Sequence, residues 1–333
     1  MKVGTVTGPL LNGVAAQLES LGYDTVLFTD NQGAAPEVWT ALGFAASETT
    51  TIMLGPGVTN TFTRDVSVTA DAALTLQVLS GGRSVLAVGR GDASAHFVGR
   101  APVRLAEFAQ KVEQLRTYLR GGSVPRGTVD GRVEWLGFMP GLPPVPLELV
   151  PSGPRVTEIA ATFADRISFA VGADPDHIAG FIAHARAHAE KVGRDPSEIR
   201  FGAWINAVLN DDEAVARAAV RGTAALWARF SAFRGRDIRS LPGPLAKAAE
   251  YLRAHYDMAS HGVGASAHAQ GLPDEFLDWF TVVGSADRVR QRMQALAAIG
   301  LDYCYVVPGA LGFADAVGAE SIARIAREIV PSL

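Results

Sequence analysis

The apolar positions of the chain recur in a regular pattern along most of its length. Short runs rich in Val, Ile and Phe end in Gly, Asp, Thr or Asn, and each is followed by an Ala- and Leu-rich stretch with helical spacing. Strand and helix alternating in this order are typical of a parallel sheet that closes on itself. The pattern therefore predicts a (β/α)8 barrel with strands near residues 3–6, 25–30, 52–59, 84–91, 146–151, 166–171, 200–208 and 303–307.

Two stretches interrupt this alternation. Residues 121–145 are rich in Gly and Pro and contain the run Val133-Glu134-Trp135-Leu136, which suggests a small hairpin insertion after the fourth helix. Residues 231–275 form a longer insertion before the eighth strand, with a helix predicted near 244–257, and such insertions usually serve as lids or binding loops. A barrel routinely uses this many residues as one domain, so we expect a single domain over 1–333 with a substrate lid.

Composition and charge exclude several classes of protein. The 333 residues are 48% hydrophobic, and the 34 acidic and 30 basic residues are scattered without a run of like charge, so we expect a folded core and no nucleic-acid partner. No apolar run is long enough to span a bilayer, and residues 1–6 lack the features of a signal peptide. The single cysteine, Cys304, lies in an apolar strand-like run, which suits a packing role. We therefore expect a cytoplasmic protein with no membrane partner.

The predicted strand ends and helix starts carry short motifs at consistent spacing. They are Leu21-Gly22-Tyr23-Asp24-Thr25-Val26, Thr29-Asp30, Gly55-Pro56-Gly57-Val58-Thr59-Asn60, Thr63-Arg64, Leu79-Ser80-Gly81-Gly82-Arg83, Val88-Gly89-Arg90-Gly91-Asp92 and Ser152-Gly153-Pro154. In these motifs the chain resembles the luciferase-like oxidoreductase superfamily over nearly its whole length, and it is most similar to the methylenetetrahydromethanopterin reductase branch. The resemblance implies a luciferase-like TIM barrel that binds coenzyme F420 or FMN at the carboxyl ends of its strands.

The resemblance leaves three functions open. The leading one is F420-dependent hydride transfer to or from a small organic substrate, which the segments Gly57-Val58-Thr59-Asn60 and Gly91-Asp92 favour. The second is an FMNH2-dependent monooxygenase that uses O2, and the third is a non-catalytic flavin-binding barrel, which the retained Gly, Ser and Asp residues at several strand ends disfavour. The resemblance further implies a homodimer or homotetramer and, as a possible partner, a separate flavin or F420 reductase.

Asp30 and Asn31 follow the second predicted strand, where side chains face the mouth of a barrel. In the hydride-transferring relatives that the chain resembles, a His often follows the Asp, whereas this sequence has Asn31. An Asn can donate a hydrogen bond to a cofactor or substrate oxygen, but it cannot shuttle a proton near neutral pH. We assign catalytic roles to both residues and cofactor binding to Asp30, with helix capping as the alternative for Asp30.

Gly57, Val58, Thr59 and Asn60 follow the third strand. In the enzymes that the chain resembles, this strand end carries a non-prolyl cis peptide that supports the cofactor ring from behind. The resemblance implies that the matching bond is Gly57–Val58, and we assign all four residues to the cofactor site. The alternative is an ordinary tight turn at the glycines.

Gly89-Arg90-Gly91-Asp92 ends the fourth strand. Gly89 and Gly91 allow the backbone to approach a planar ring or a ribityl chain closely. Asp92 stands where relatives often carry an acidic residue, and it can donate a proton or hold a polar group of the substrate. The third glycine and the distant acidic residue of a dinucleotide-binding fingerprint do not appear at the required spacing, so we reject that motif.

Ser152-Gly153-Pro154-Arg155 precedes a predicted helix. Pro at the first helical position leaves backbone amides exposed at the positive end of the helix dipole, and the side chains of Ser152 and Arg155 can add donors. Together with the resemblance, this pattern favours a binding site for a cofactor phosphate. The alternative is a helix cap without a ligand.

Histidines are the remaining candidates for proton transfer. His96 follows the fourth strand and His261 lies in the 231–275 insertion, and both segments should cover the barrel mouth. A local structural role is the alternative for each. His184 and His188 have the i, i+4 spacing of a metal pair, but no Glu follows His184 and no third ligand is evident, so we predict no metal site.

Overall fold

A computed structural model describes residues 1–8, 13–139, 141–232, 237–309 and 315–333. Its strands are β1 (Lys2–Thr7), β2 (Thr25–Phe28), β3 (Met53–Pro56), β4 (Leu86–Val88), β5 (Val124–Arg126), β6 (Val129–Gly131), β7 (Leu147–Leu149), β8 (Arg166–Phe169), β9 (Arg200–Leu209), β10 (Val282–Gly284) and β11 (Tyr303–Val307). Its α-helices are α1 (Val14–Ser20), α2 (Val38–Glu48), α3 (Val66–Leu79), α4 (Ala93–Phe97), α5 (Leu105–Leu119), α6 (Pro154–Phe163), α7 (Pro175–Lys191), α8 (Glu213–Ala232), α9 (Gly243–His255), α10 (Ala267–Gln270), α11 (Asp274–Phe280), α12 (Ala286–Ala298) and α13 (Ala316–Glu328). Among these described helices, none has the length and apolarity needed to cross a membrane.

The strands pair in parallel in the order β3-β2-β1-β11-β9-β8-β7-β4. The two ends of this path, β3 and β4, approach each other through the parallel bridges Leu54–Ser84 and Thr59–Val88, which nearly close the barrel. Every strand predicted from the apolar pattern takes part in this path, although the observed strands are mostly shorter at their carboxyl ends. The predicted (β/α)8 barrel is therefore confirmed.

β10 is a strand that the apolar pattern does not predict. It pairs with the carboxyl-terminal end of β9, with Val282 opposite Ala207. The part of β9 before that end pairs with β11, with Tyr303 opposite Gly202. Two apolar residues followed by a glycine are too short a run to show a period of two. The ten-residue length of β9 is what allows it to accept two partners along its length.

Several helices begin at the residues that capping chemistry favours. The Asp65 carboxylate accepts a hydrogen bond from the Ser67 amide at the start of α3, and Asp174 does the same for His177 at the start of α7, which has Pro at its first position. The Glu37 carboxylate caps α2 by accepting from the Thr40 amide. These caps fix the residue at which each connecting loop ends and its helix begins.

The insertion at 121–145 contains an antiparallel hairpin formed by β5 and β6, with Val124 opposite Gly131. The run Val133-Glu134-Trp135-Leu136, which suggested the hairpin in the sequence, instead lies after it, and most of it belongs to a 3-10 helix at Glu134–Phe138. The Trp135 indole explains this placement in part, because its N–H donates to the carboxylate of Asp71 on α3 at 2.6 Å. Pro140 lies outside the described residues.

The insertion predicted as a lid, 231–275, contains α9, α10 and the start of α11, and its residues 233–236 lie outside the described residues. The helix predicted near 244–257 is α9. Apolar side chains of α9 and α11 belong to the same buried cluster as Leu27 and Trp204, which face into the barrel. The insertion is therefore packed against the barrel interior through a shared core.

Candidate functional site

A cavity of about 590 Å³ opens where the loops after β2, β3, β4 and β7 converge. These loops leave the carboxyl ends of the strands, which is where enzymes with this architecture place their chemistry. Residues predicted from the sequence that line the cavity are Asp30, Asn31, Gly57, Val58, Gly89, Gly91, Asp92, Ser152, Gly153, Pro154 and Arg155. The predicted residues Thr59, Asn60, His96 and His261 do not belong to its wall.

Asp30 is buried beside the cavity, and its carboxylate is held by an ion pair and a hydrogen bond. The Arg64 guanidinium donates to it at 2.7 Å, and the Gln32 side-chain amide donates at 2.6 Å. Arg64 also pairs with Glu37 at 2.8 Å. Since Glu37 caps α2, the alternative in which Asp30 caps that helix is wrong. Asp30 instead anchors a network that fixes the loop after β2.

Asn31 lines the cavity beside this network, and its buried side-chain oxygen Oδ1 has no hydrogen-bond partner among the described residues. A buried acceptor without a donor lowers stability, and such groups are uncommon unless a ligand or water satisfies them. Asn31 therefore offers a ready acceptor to a bound molecule.

The ends of β3 and β4 form a closely packed backbone surface in the cavity. The Gly57–Val58 peptide bond is cis, as the resemblance implied. A Cβ atom at Gly89 would lie 2.8 Å from Cγ2 of Val58, and one at Gly57 would lie 2.6 Å from Cβ of Leu27. Neither position accepts a side chain without a shift of its neighbours, so this wall of the cavity is backbone.

Thr59 and Asn60 support this wall from behind. Both are buried, and the Asn60 side-chain oxygen accepts hydrogen bonds from the backbone amides of Phe62 at 3.1 Å and Thr63 at 2.9 Å. Gly91 packs on the same turn with φ +71°, and a Cβ there would lie 2.4 Å from Cε1 of Phe62. Only glycine suits that position, which explains the Gly-x-Gly spacing in the motif.

Asp92 lines the cavity just before α4, but its side chain does not cap that helix. Its carboxylate forms an ion pair with Arg229 of α8, which is 137 residues further along the chain. The Arg229 guanidinium also lies 5.0 Å from the ring centre of Tyr256, in the 231–275 insertion. Asp92 is thus linked through Arg229 to α8 and to this insertion.

Tyr256 and His261 form a polar pair within the lid. The Tyr256 hydroxyl lies 2.7 Å from Nδ1 of His261. Burial lowers the pKa of His261 to about 4, with the positive charge of Arg229 acting in the same direction, and burial raises the pKa of Tyr256 to about 12. Both groups are therefore neutral at pH 7. His96, by contrast, is exposed on α4 and contacts the edge of Phe97.

The lowered pKa of His261 predicts a pH dependence of stability. Between about pH 6.5 and about pH 4 the unfolded chain binds a proton on this imidazole, whereas the folded protein does not, so stability falls as the pH falls through this range. Above about pH 6.5 the imidazole is neutral in both states and adds no slope. We expect His261→Gln to reduce the loss of thermal stability between pH 7 and pH 5, as measured by calorimetry.

His184→Gln is the matched control for that experiment. His184 is partly exposed on α7, with its Nε2 atom 3.4 Å from the Glu158 carboxylate, and it lies away from the lid. A change of slope of the same size in both variants would show that the loss of a histidine as such, and not the burial of His261, is its cause. A slope for His261→Gln equal to that of the native protein would contradict the assignment.

Gly153 and Pro154 place the start of α6 at the cavity wall. Gly153 is the N-cap residue of the helix, and no side chain among the described residues caps it. The choice between a phosphate site and a helix cap without a ligand stays a prediction. A Cβ at Gly153 would have open space around it. Arg155 is exposed at the rim. The first backbone amides of α6, at the positive end of its dipole, are therefore available to an anion in the cavity.

Several cavity residues escape the sequence reasoning. Trp204 could have been found, because it lies two residues from Gly202 and from Asn206 on β9 and thus on one face of the strand. Trp227 and Arg229 carry no local signal, since only the fold brings α8 to the cavity. The residues missed in the wall are Thr29, Arg90, Ala93, Ser94, Leu105, Val150, Val156, Ala170, Trp204 and Trp227.

In the described parts of the chain, no group of three or more His, Cys, Asp or Glu side chains is arranged to hold a metal ion. His188, one of the two histidines at metal-pair spacing, instead has its Nε2 atom 3.3 Å from the hydroxyl of Thr162.

Comparison with known proteins gives this arrangement a family. The model of the luciferase-like monooxygenase family matches residues 11–303. The chain belongs to this family. The luciferase-like assignment confirms the resemblance inferred from the strand-end motifs, and the protein is an oxidoreductase of that kind.

Among the relatives of this luciferase-like protein, 5,10-methylenetetrahydromethanopterin reductase of Methanolobus tindarius is 28% identical over 290 residues, which are 85% of each chain. The F420-dependent hydroxymycolic acid dehydrogenase of Mycobacterium tuberculosis is 29% identical over 71% of this chain and 64% of the relative. The coenzyme F420-dependent tetrahydromethanopterin reductase of Methanopyrus kandleri superposes with a TM-score of 0.74 at 21% identity, over 99% of this chain and 98% of that one. The structural likeness supports the fold.

Proposed function

We propose that this luciferase-like protein transfers a hydride between coenzyme F420 and a small organic substrate. The observation that carries the proposal is the cavity at the strand ends, in which a backbone wall at Gly57–Val58 and Gly89 stands together with a helix start at Gly153. Among the sequence relatives over most of the chain, one is named 5,10-methylenetetrahydromethanopterin reductase and another F420-dependent hydroxymycolic acid dehydrogenase. When bound, reduced F420 would supply a hydride.

The residues present fit a planar ring with a phosphate-bearing tail. The backbone wall at Gly57, Val58 and Gly89 gives a surface against which a flat ring can lie, and the unpaired Oδ1 atom of Asn31 can accept from a ring or substrate N–H or O–H. Thr59 and Asn60 would hold the wall in place. Trp204 adds an aromatic face to the same cavity.

The start of α6 is the group of residues that would bind the phosphate. The uncapped amides after Gly153 point to the cavity end of the helix, where the dipole favours negative charge. Ser152 lines the same wall and can add a hydroxyl donor, and Arg155 adds positive charge at the rim. Pro154 keeps the first turn of the helix in a fixed direction.

Asp92 is the group that we propose to give or take the proton at the substrate. It lines the cavity, and its pairing with Arg229 holds the carboxylate at a defined place. Asp30 would position Asn31 through the Arg64 network. His96 and His261 stay candidates for exchanging protons with solvent, His261 through Tyr256, which it contacts at 2.7 Å.

Binding measurements distinguish the proposal from its rivals. Purified protein is titrated separately with oxidised F420 and with FMN, and quenching of the cofactor fluorescence is followed. We expect saturable quenching of F420. Tight binding of FMN without F420 would overturn the proposal in favour of an FMNH2-dependent monooxygenase, as the family description suggests. Binding of neither would favour a non-catalytic barrel.

The phosphate site predicts the effect of Gly153→Asp. The backbone at Gly153 is extended, with φ −169°, and a Cβ would have open space, so the substitution fits without strain. The new carboxylate would stand at the amides that should bind the phosphate and would repel it. We expect at least about tenfold weaker cofactor binding, equivalent to about 1.4 kcal/mol, with little change in the melting temperature of the cofactor-free protein.

Gly153→Ala is the control for this charge effect, because it adds a methyl group in the same open space without a charge. We expect it to bind the cofactor nearly as well as the native protein. An equal loss of stability and binding in Gly153→Asp would instead support a purely structural role for this helix start.

A further inference from the structure

A buried charged pair lies inside the barrel, beneath the cavity. The Glu148 carboxylate on β7 is completely buried, and the Arg166 side chain on β8 is 13% exposed. The Arg166 Nε atom donates to Glu148 at 2.9 Å, and the guanidinium lies 3.8 Å from the ring centre of Tyr303. Replacing such a pair by apolar residues is often neutral for stability. Its presence inside the barrel therefore suggests a role besides stability.

Hydrogen bonds lead from this pair to the cavity in one direction. The indole N–H of Trp204 donates to the Ser168 hydroxyl at 2.9 Å, and that hydroxyl donates to Glu148 at 2.5 Å. An indole N–H only donates and a carboxylate only accepts, so the two ends fix the direction of these hydrogen bonds, from Trp204 through Ser168 to Glu148. The Tyr305 hydroxyl also donates to Glu148, at 2.9 Å.

Trp204 connects this series of hydrogen bonds to the cavity wall. It lines the cavity, and a Cβ atom built at Gly57 would lie 3.3 Å from Cη2 of Trp204, in the six-membered ring of the indole. The rings of Tyr305 and Trp227 pack edge-on against it, with centroids 5.5 Å and 6.2 Å away. The five-membered ring of the indole is therefore bonded to Ser168 through its N–H, while the six-membered ring lies next to the backbone at Gly57.

We propose that Glu148 and Ser168 are positioning residues that fix the indole of Trp204 as the floor of the cavity, beneath the ring that binds against Gly57–Val58. The placement of the ring rests on the function proposed above, whereas the placement of the indole does not. Without the Ser168 hydroxyl, the buried N–H of Trp204 has no acceptor, and the indole gains freedom to turn away from Gly57. The ring would then lose a fixed surface, and its distance from the substrate would vary.

Ser168→Ala tests this proposal, with Ser321→Ala as the matched control. Ser321 is also completely buried, and its hydroxyl accepts a hydrogen bond from the Leu209 amide at 2.8 Å, but it does not line the cavity. The indole N–H signals are observed by NMR in protein labelled with 15N-tryptophan, and the Trp204 signal is assigned by its loss in Trp204→Phe. Affinity for F420 and for FMN is measured by fluorescence quenching in each variant.

We expect Ser168→Ala to shift the Trp204 signal, to speed its exchange with solvent, and to weaken cofactor binding about tenfold, because the bound ring loses a fixed surface. Ser321→Ala should change neither readout. Ser168→Thr, which keeps the hydroxyl, should restore both.

The possible failures are distinguishable. An unchanged Trp204 signal in Ser168→Ala would overturn the positioning role, whatever the cofactor does. A changed signal with native affinity for the cofactor would overturn the connection between the indole and the ring. Absence of cofactor binding by the native protein would overturn the proposed function, while the NMR signal would still decide whether Ser168 fixes the indole.

Discussion

Asp92→Asn is expected to lower turnover by about 10²–10⁴-fold, the range that a lost proton donor or acceptor brings. The amide has nearly the shape of the carboxylate, so the loop before α4 should keep its place. It cannot exchange a proton with the substrate, and it gives up the ion pair with Arg229. The dissociation constant for the cofactor, measured by fluorescence quenching, should stay close to that of the native protein. A kinetic effect confined to turnover is the mark of a group that acts on the substrate.

Two further variants separate chemistry from structure at this position. Asp92→Glu keeps an ionisable group and should retain more activity than Asp92→Asn. Asp130→Asn changes an exposed aspartate of strand β6, in the hairpin that β6 forms with β5, and should leave turnover unchanged. A parallel loss of turnover and cofactor affinity in Asp92→Asn would show that Asp92 binds the cofactor and does not handle a proton. Native turnover would remove it from the mechanism.

The barrel could be predicted because its signal is local and repeated. Each barrel strand is a short apolar run followed by a helix with its own boundary residues, and the pattern holds even where one strand is misjudged in length. β10 shows the limit of this reasoning, since Val282 and Val283 form a strand only because the long β9 offers a free edge beside them. A pairing of that kind is a property of the fold and leaves no periodicity in the sequence.

The candidate site could be predicted where it is built from strand ends, as at Asp30, Gly57 and Asp92. Its other half depends on contacts between distant parts of the chain. Arg229 reaches Asp92 from the far end of a helix in which charged residues are common, so nothing near it marks a function. Glu148 is a clearer case, because a lone Glu in the run Leu147-Glu148-Leu149 looks like an exposed position of a strand, whereas the structure buries it completely.

Arg166→Met should be the most destabilising of the substitutions considered for this barrel. It leaves the wholly buried carboxylate of Glu148 without its cation, with only the hydroxyls of Ser168 and Tyr305 as donors. Breaking a buried pair from one side lowers the free energy of unfolding by about 3–5 kcal/mol, because an uncompensated charge stays in the interior. Denaturant unfolding at neutral pH measures the loss directly.

The same pair predicts a recovery that an ordinary packing defect would not show. In the double variant Glu148→Gln with Arg166→Met, no buried charge is left, so we expect most of the lost stability to return. Arg132→Met is the control, since Arg132 and Glu134 form an exposed pair whose loss should change stability by no more than about 1 kcal/mol. If Arg166→Met were no less stable than this control, Glu148 would have to accept burial without its partner. If the double variant stayed as unstable as Arg166→Met, packing around the guanidinium would be the cause. Either result would show that the unpaired charge of Glu148 does not set the stability of the barrel.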